Sequence, residues 1–111
     1  MLESEISIDA RDDLVLSYQW YLREAGLAVA ERYLDAFSRT VALLSREPGV
    51  GQTRHFRSPR LKGIRSMPLH GAFKVHLIFF RVEGEVLDVF RVLHGMRDLP
   101  RRLLQPPGAN D

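Results

Sequence analysis

Residues 90 to 100 read "FRVLHGMRDLP" and bring Arg91, His94 and Arg97 close together where an apolar stretch ends. An imidazole so placed can act as general acid or base, and guanidiniums can stabilise a phosphorane-like charge, the chemistry of a metal-free ribonuclease. The same residues also have a structural reading. Arg91 lies among Leu87, Val89 and Leu93, where a guanidinium is costly unless it is paired. It is therefore expected to be structural, paired with a buried acid, and its truncation to cost about 1 to 3 kcal/mol. His94 and Arg97 leave the end of the strand and are expected to be functional groups at the mouth of a groove. Asp98 is placed to cap a last helix, "DLPRRLL", with Pro100 in its first turn.

A second group lies upstream. In "RHFRSPRLKGIR", Arg54, Arg57, Arg60, Lys62 and Arg65 occur without one acid. Such a patch favours an anionic partner, and it also reads as a solvated basic loop. The whole chain is only +2, but residues 1 to 48 hold 5 arginines against 9 acids and residues 49 to 111 hold 11 basic residues against 5 acids. The two parts are thus −4 and +6.

Several chemistries are excluded. There is no cysteine, so disulfides, thiolate nucleophiles and cysteine metal sites are absent. No GxGxxG, GxxxxGK or GxSxG pattern occurs, and no HxH or HExxH. His70 and His76, on one extended strand at about 3.3 Å per residue, would stand roughly 20 Å apart, too far to share a metal. No metal or cofactor is implied. With no apolar run of membrane-spanning length and no signal-like start, the chain is expected to be cytoplasmic, without a membrane partner. Its 111 residues fit one domain, 1–111, with residues 105–111 expected to form a flexible tail.

The elements that must position these residues follow from periodicity. Ala10, Leu14, Tyr18, Tyr21, Leu22 and Ala25 share one helix face, with Ser7 or Asp9 as cap and Gly26 as stop. Ala30, Tyr33, Leu34, Phe37, Val41 and Leu44 form a second stripe, ending before "EPGVG". The short link makes a helical hairpin whose seam is Tyr18, Tyr21, Tyr33 and Phe37. Beyond the basic loop the period changes to two: "FKVHLIFFRV" (73–82) and "VLDVFRVL" (86–93) form a β-hairpin around "EGE". A Gly84-Glu85 turn pairs Arg81 with Asp88 and Phe79 with Phe90, leaving His76, Ile78, Phe80, Val82, Leu87, Val89 and Arg91 on the other face. Both faces are apolar, so the hairpin is central, with helices on one side and the other partly open. "GIRSMPL" supplies a third strand and "EISI" a fourth. The expected fold is α+β: an N-terminal helical hairpin on a small, mainly antiparallel 3–4-stranded sheet, with a short C-terminal helix.

"ARDDL" at 10–14, "REPGVG" at 46–51, "LKGIRSMPL" at 61–69 and "LIFFRVEGEVLDVFRVLHGMRDL" at 77–99, in this order and spacing, resemble the RelE/ParE superfamily of type II toxin–antitoxin toxins. The resemblance is to the ParE branch. It implies a growth-inhibiting toxin, held inactive by a cognate antitoxin whose disordered C-terminal segment folds over a groove of the toxin. ParE-like members poison DNA gyrase, whereas RelE-like members cut mRNA in the ribosome. Where such a nuclease has a strand arginine this sequence has Leu77, and "RRLLQPP" offers no tyrosine. A gyrase-directed inhibitor without catalytic residues is therefore favoured. The alternatives are a ribosome-dependent, metal-independent endoribonuclease using Lys62, Arg65, His94 and Arg97, and a non-toxic antitoxin-binding module. On the favoured reading Arg57, Arg60, Arg65, His94 and Arg97 meet the target. Ile78, Phe80, Leu87 and Val89 meet the antitoxin, and Arg81, Asp88 and Arg91 are structural.

Overall fold

A computed structural model describes residues 1–109 of the chain. Strand β1 (Glu3–Ile6) is followed by helices α1 (Ile8–Ala25) and α2 (Leu27–Arg46), strands β2 (Gln52–Thr53), β3 (Arg65–Pro68), β4 (His76–Glu83) and β5 (Val86–His94), and helix α3 (Leu99–Leu104). The sheet order is β1-β5-β4-β3-β2. All pairs are antiparallel except β1 with β5, so the sheet is mixed and has five strands where three or four were expected. The added strand, β2, is two residues long, too short to show a period in sequence.

The helical hairpin forms where its signals place it. Ser7 caps α1 by accepting from the Ala10 N–H at 3.0 Å, and its hydroxyl donates to the Phe90 carbonyl at 2.8 Å. Its own N–H donates to the Val89 carbonyl at 3.0 Å, so the start of the helix is fastened to β5. Gly26, at φ 93°, ends α1 and begins α2, a conformation that disfavours any side chain. On α2 the buried face is Ala30, Tyr33, Ala36, Phe37, Thr40 and Leu44. Leu34 of the expected stripe is exposed, as is Leu22 of α1. Helix α1 buries only Ala10, Asp13 and Leu14, and its Tyr21 is half-buried against Tyr33 of α2 and Phe73.

Strands β4 and β5 turn through Gly84 and Glu85, with φ positive only at Gly84, and Arg81 does stand opposite Asp88. Phe79, however, is opposite Arg91, not Phe90, because a β-bulge between Phe79 and Phe80 leaves Phe90 as an extra residue. The bulge reverses the alternation: Val92 joins the helix-side core with Ile78, Phe80, Leu87 and Val89, and Arg91 moves to the face of Phe79. That other face is not open. Leu77, Phe79 and Leu93 pack under Leu61, Ile64, Leu99 and Leu103 in a second cluster, so both faces of the hairpin are covered.

Strand β4 begins at His76, three residues later than expected. Residues 71–73 form a 3₁₀ turn, and the Leu69 N–H donates to the His76 carbonyl at 2.9 Å. His70 and His76 are therefore on either side of a reversal, not on one extended strand, and the 20 Å estimate does not apply. Asp98 precedes α3 but does not cap it. Its φ is 51°, and its carboxylate pairs with Arg101 at 3.0 Å.

Candidate functional site

Alongside α1 the outer margin of β5 is held by side chains. Strand β1 pairs with β5 only as far as Val89, and beyond it the Val92 N–H donates to Asp13 Oδ2 at 3.0 Å. The His94 carbonyl accepts from Arg102 at 2.8 Å. Arg91, 3% exposed, makes a two-pronged pair with Asp13, Nε to Oδ2 at 2.7 Å and Nη2 to Oδ1 at 2.9 Å. Its Nη1 donates to the carbonyls of Arg102, Leu103 and Gln105. One guanidinium thus ties α1 to the end of α3 across the sheet margin. Sequence reading missed Asp13 as the partner, since 78 residues separate the pair.

Beside this pair opens a groove of about 580 Å³ lined by Leu16, Ser17, Trp20, Tyr21, His76 and His94. Its walls are largely apolar, and Trp20 is 52% exposed. A depression of about 190 Å³ reaches from Ser17 and His94 past Arg91 and Arg102 to residues 105–109. Within the expected tail, Gln105 is tied to Arg91 through its carbonyl, and residues 110 and 111 lie outside the described residues. At the floor of the groove the Tyr21 hydroxyl and His76 Nε2 share a hydrogen bond at 2.8 Å. The His76 ring meets His94 edge to face at 5.1 Å, and Tyr21 packs on Tyr33 at 5.3 Å.

Burial holds the His76 imidazole down to about 4, helped by the neighbouring His94, and burial pushes the Tyr33 phenol up to about 12. The first shift carries a stability consequence. Between pH 6.5 and 4 the unfolded chain binds a proton at this histidine that the folded chain refuses. The contribution is whole above 6.5 and is lost as pH falls, reaching about 3 kcal/mol at 1.36 kcal/mol per unit. Urea unfolding of the parent and of His76→Gln from about pH 8 to pH 4 should show this loss in the parent and a flatter profile in the variant. Parallel profiles would disprove it.

The expected target-binding residues fall into two groups. Arg57, Arg60 and Lys62 are exposed on the loop between β2 and β3, and Arg65 at the start of β3 donates to the Pro48 carbonyl at 3.2 Å. His94 and Arg97 are exposed at the other end of the sheet. Arg65 is opposite Phe80 and His94 opposite His76, so they are separated by four positions along β4, on the order of 13 Å. Leu77 is buried. Arg81 lies over the Phe90 ring at 5.1 Å and donates to the Arg60 carbonyl. Burial and the nearby Glu83 raise the Asp88 carboxyl, against the pull of Arg81.

Ile78, Phe80, Leu87 and Val89, expected to face the antitoxin, are each 0% exposed beneath α1 and α2, so they have no surface to offer. The open apolar surface is instead the outside of α1: Ile8, Val15, Leu16 and Trp20. Its signal in the sequence is that Val15, Leu16 and Trp20 fall outside the stripe of Ala10, Leu14, Tyr18 and Tyr21, interleaved with charged residues.

Among the described residues no helix is long and apolar enough to cross a membrane, and no group of three or more metal-ligating side chains could hold an ion. A family model described as "ParE toxin of type II toxin-antitoxin system, parDE" matches residues 5–99. No curated protein matches significantly. Among solved structures, the "Chromosomal ParDE TA system from P. aeruginosa" is similar at TM-score 0.69 and 22% identity, over 86% of this chain and 98% of that one.

Proposed function

The chain belongs to the ParE toxin family of type II toxin–antitoxin systems, and from that premise we propose that it inhibits growth by poisoning DNA gyrase and is neutralised by a cognate antitoxin. Gyrase is favoured over the ribosome because the residues a nuclease would need are dispersed. Lys62 and Arg65 stand at one end of the sheet, and His94 and Arg97 at the other. General acid–base cleavage requires such groups within hydrogen-bond reach of one phosphate. Leu77 on β4, 5% exposed, adds no strand arginine.

For the antitoxin, the outer face of α1 and the groove beside it supply the surface. A disordered segment that orders on binding can lay an apolar helix face along Leu16 and Trp20, with its acidic residues toward His94 and Arg102. The adjoining depression lies over the Asp13–Arg91 pair, so the same segment would cross the margin of β5.

With purified gyrase the protein is expected to stop supercoiling and to accumulate cleaved plasmid, while mRNA on translating ribosomes stays intact at excess protein. Reproducible cuts within the A-site codon, with supercoiling unaffected, would replace this reading by the ribosomal one.

A further inference from the structure

From Pro48 to Val82 the chain carries seven basic residues and no acid. The fold keeps this segment together: β2, β3 and β4 are neighbours on one side of the sheet, and Glu3 and Glu5 of β1 lie at the opposite edge. Charge segregation in the sequence thus becomes charge separation across the molecule.

The loop between β2 and β3 is braced. Leu61 and Ile64 are 0% exposed in the second core cluster, and Phe56 packs against it. Ser58 caps a 3₁₀ turn at Pro59–Leu61, the Arg54 N–H donates to the Ile64 carbonyl at 3.0 Å, and the Arg60 carbonyl accepts from Arg81. Arg54 is half-buried, its Nε donating to the Ser66 hydroxyl at 2.7 Å. Arg57, Arg60 and Lys62 are exposed on this rigid backbone. Holding the loop in one shape in advance lowers the entropic cost of ordering its cations on a partner.

We propose that the loop bearing Arg57, Arg60 and Lys62 binds the phosphate backbone of duplex DNA, so that the toxin contacts DNA directly. Guanidiniums outnumber ammonium here, and their planar fork suits phosphate oxygens. Single-stranded nucleic acid is gripped by aromatic rings stacked on bases, and Phe56 is turned to the core. The loop exposes no Phe, Tyr or Trp, only the small His55 imidazole, so its rigid row of cations fits a duplex better than a stacked single strand. This contact does not rest on the choice of gyrase, because it is read on DNA alone.

The test is anisotropy of a short labelled duplex titrated with the purified chain over a range of salt. Binding is expected at low salt, with log affinity falling linearly against log salt by about 0.9 per phosphate contacted. The combined Arg57→Ala, Arg60→Ala, Lys62→Ala variant should lose at least about tenfold in affinity and about 2 to 3 from the slope. Arg57→Lys with Arg60→Lys should retain the slope, and Arg39→Ala on α2, whose arginine pairs with Asp35 at 2.8 Å, should bind like the parent. Melting of the triple variant near the parent's temperature confirms that the surface alone was changed. No binding at low salt, a triple variant that binds like the parent, or tighter binding to single-stranded RNA of equal length would overturn the proposal.

Discussion

Arg91→Ala is expected to destabilise the protein by about 3 to 5 kcal/mol, because it strands the Asp13 carboxylate, 7% exposed, without its counter-charge. This exceeds the 1 to 3 kcal/mol of one lost hydrogen bond. The guanidinium also satisfies carbonyls from the last turn of α3, at 3.1 Å from Arg102 and 3.3 Å from Leu103, and these would be left without it. Asp13→Ala should cost a similar amount, since the Val92 N–H loses its acceptor as well. The two truncations share one interaction, so the double variant should lose clearly less than their sum. Replacing the pair by Asp13→Leu with Arg91→Met should be milder than either single truncation, as apolar replacement of buried ion pairs often is. Urea melts of the set decide it: a single variant within about 0.5 kcal/mol of the parent would show that the pair contributes nothing.

Trp20→Ala is expected to weaken antitoxin binding by about 30-fold to 1,000-fold, the 2 to 4 kcal/mol typical of an aromatic anchor at the centre of an interface. Its ring is half exposed in the free protein, so stability should change by less than about 0.5 kcal/mol. Leu16→Ala should act in the same direction with a smaller loss. Calorimetric titration of the variants with the antitoxin supplies the affinities, and melting curves exclude unfolding. An unchanged affinity for Trp20→Ala would move the antitoxin off this face of α1. A growth assay adds an independent reading, since a toxin that its antitoxin no longer holds should arrest cells even when both are expressed.

Much of the framework was legible because its signals are local. Ser7, Gly26, Pro48 and Gly84 act within a few residues of themselves, and each stands at the helix end or turn it specifies. The bulge at Phe90 was not legible. Register is read from an apolar–polar alternation, and where both faces of a hairpin are buried no alternation remains to break. That one extra residue explains why Arg91 was placed on the wrong face. The buried acid expected for Arg91 was nameable only from the fold, because "ARDDL" offers Asp12 and Asp13 alike until the phase of α1 against β5 is known. Apolar content was misread in a related way: Ile78, Phe80, Leu87 and Val89 looked like surface for a partner because the sheet was expected to be half open. The true excess lay on α1, where Val15, Leu16 and Trp20 fall outside the inward stripe.

Beside the groove, Ser7, Asp13 and Arg102 occupy the Phe90 carbonyl, the Val92 N–H and the His94 carbonyl. A partner that added itself to the sheet there would have to dislodge all three, and the opposite border of the sheet, β2, is only two residues long. Backbone pairing is tolerant of sequence, since every residue offers the same N–H and C=O. Where the margin of β5 withholds it, the partner must be recognised through the shape and charge of side chains. Under the proposed docking, discrimination between this toxin's own antitoxin and those of sibling systems in the same cell would be written in the few residues that meet Leu16, Trp20 and His94. Exchanging those few antitoxin residues between systems should then be enough to exchange their immunity.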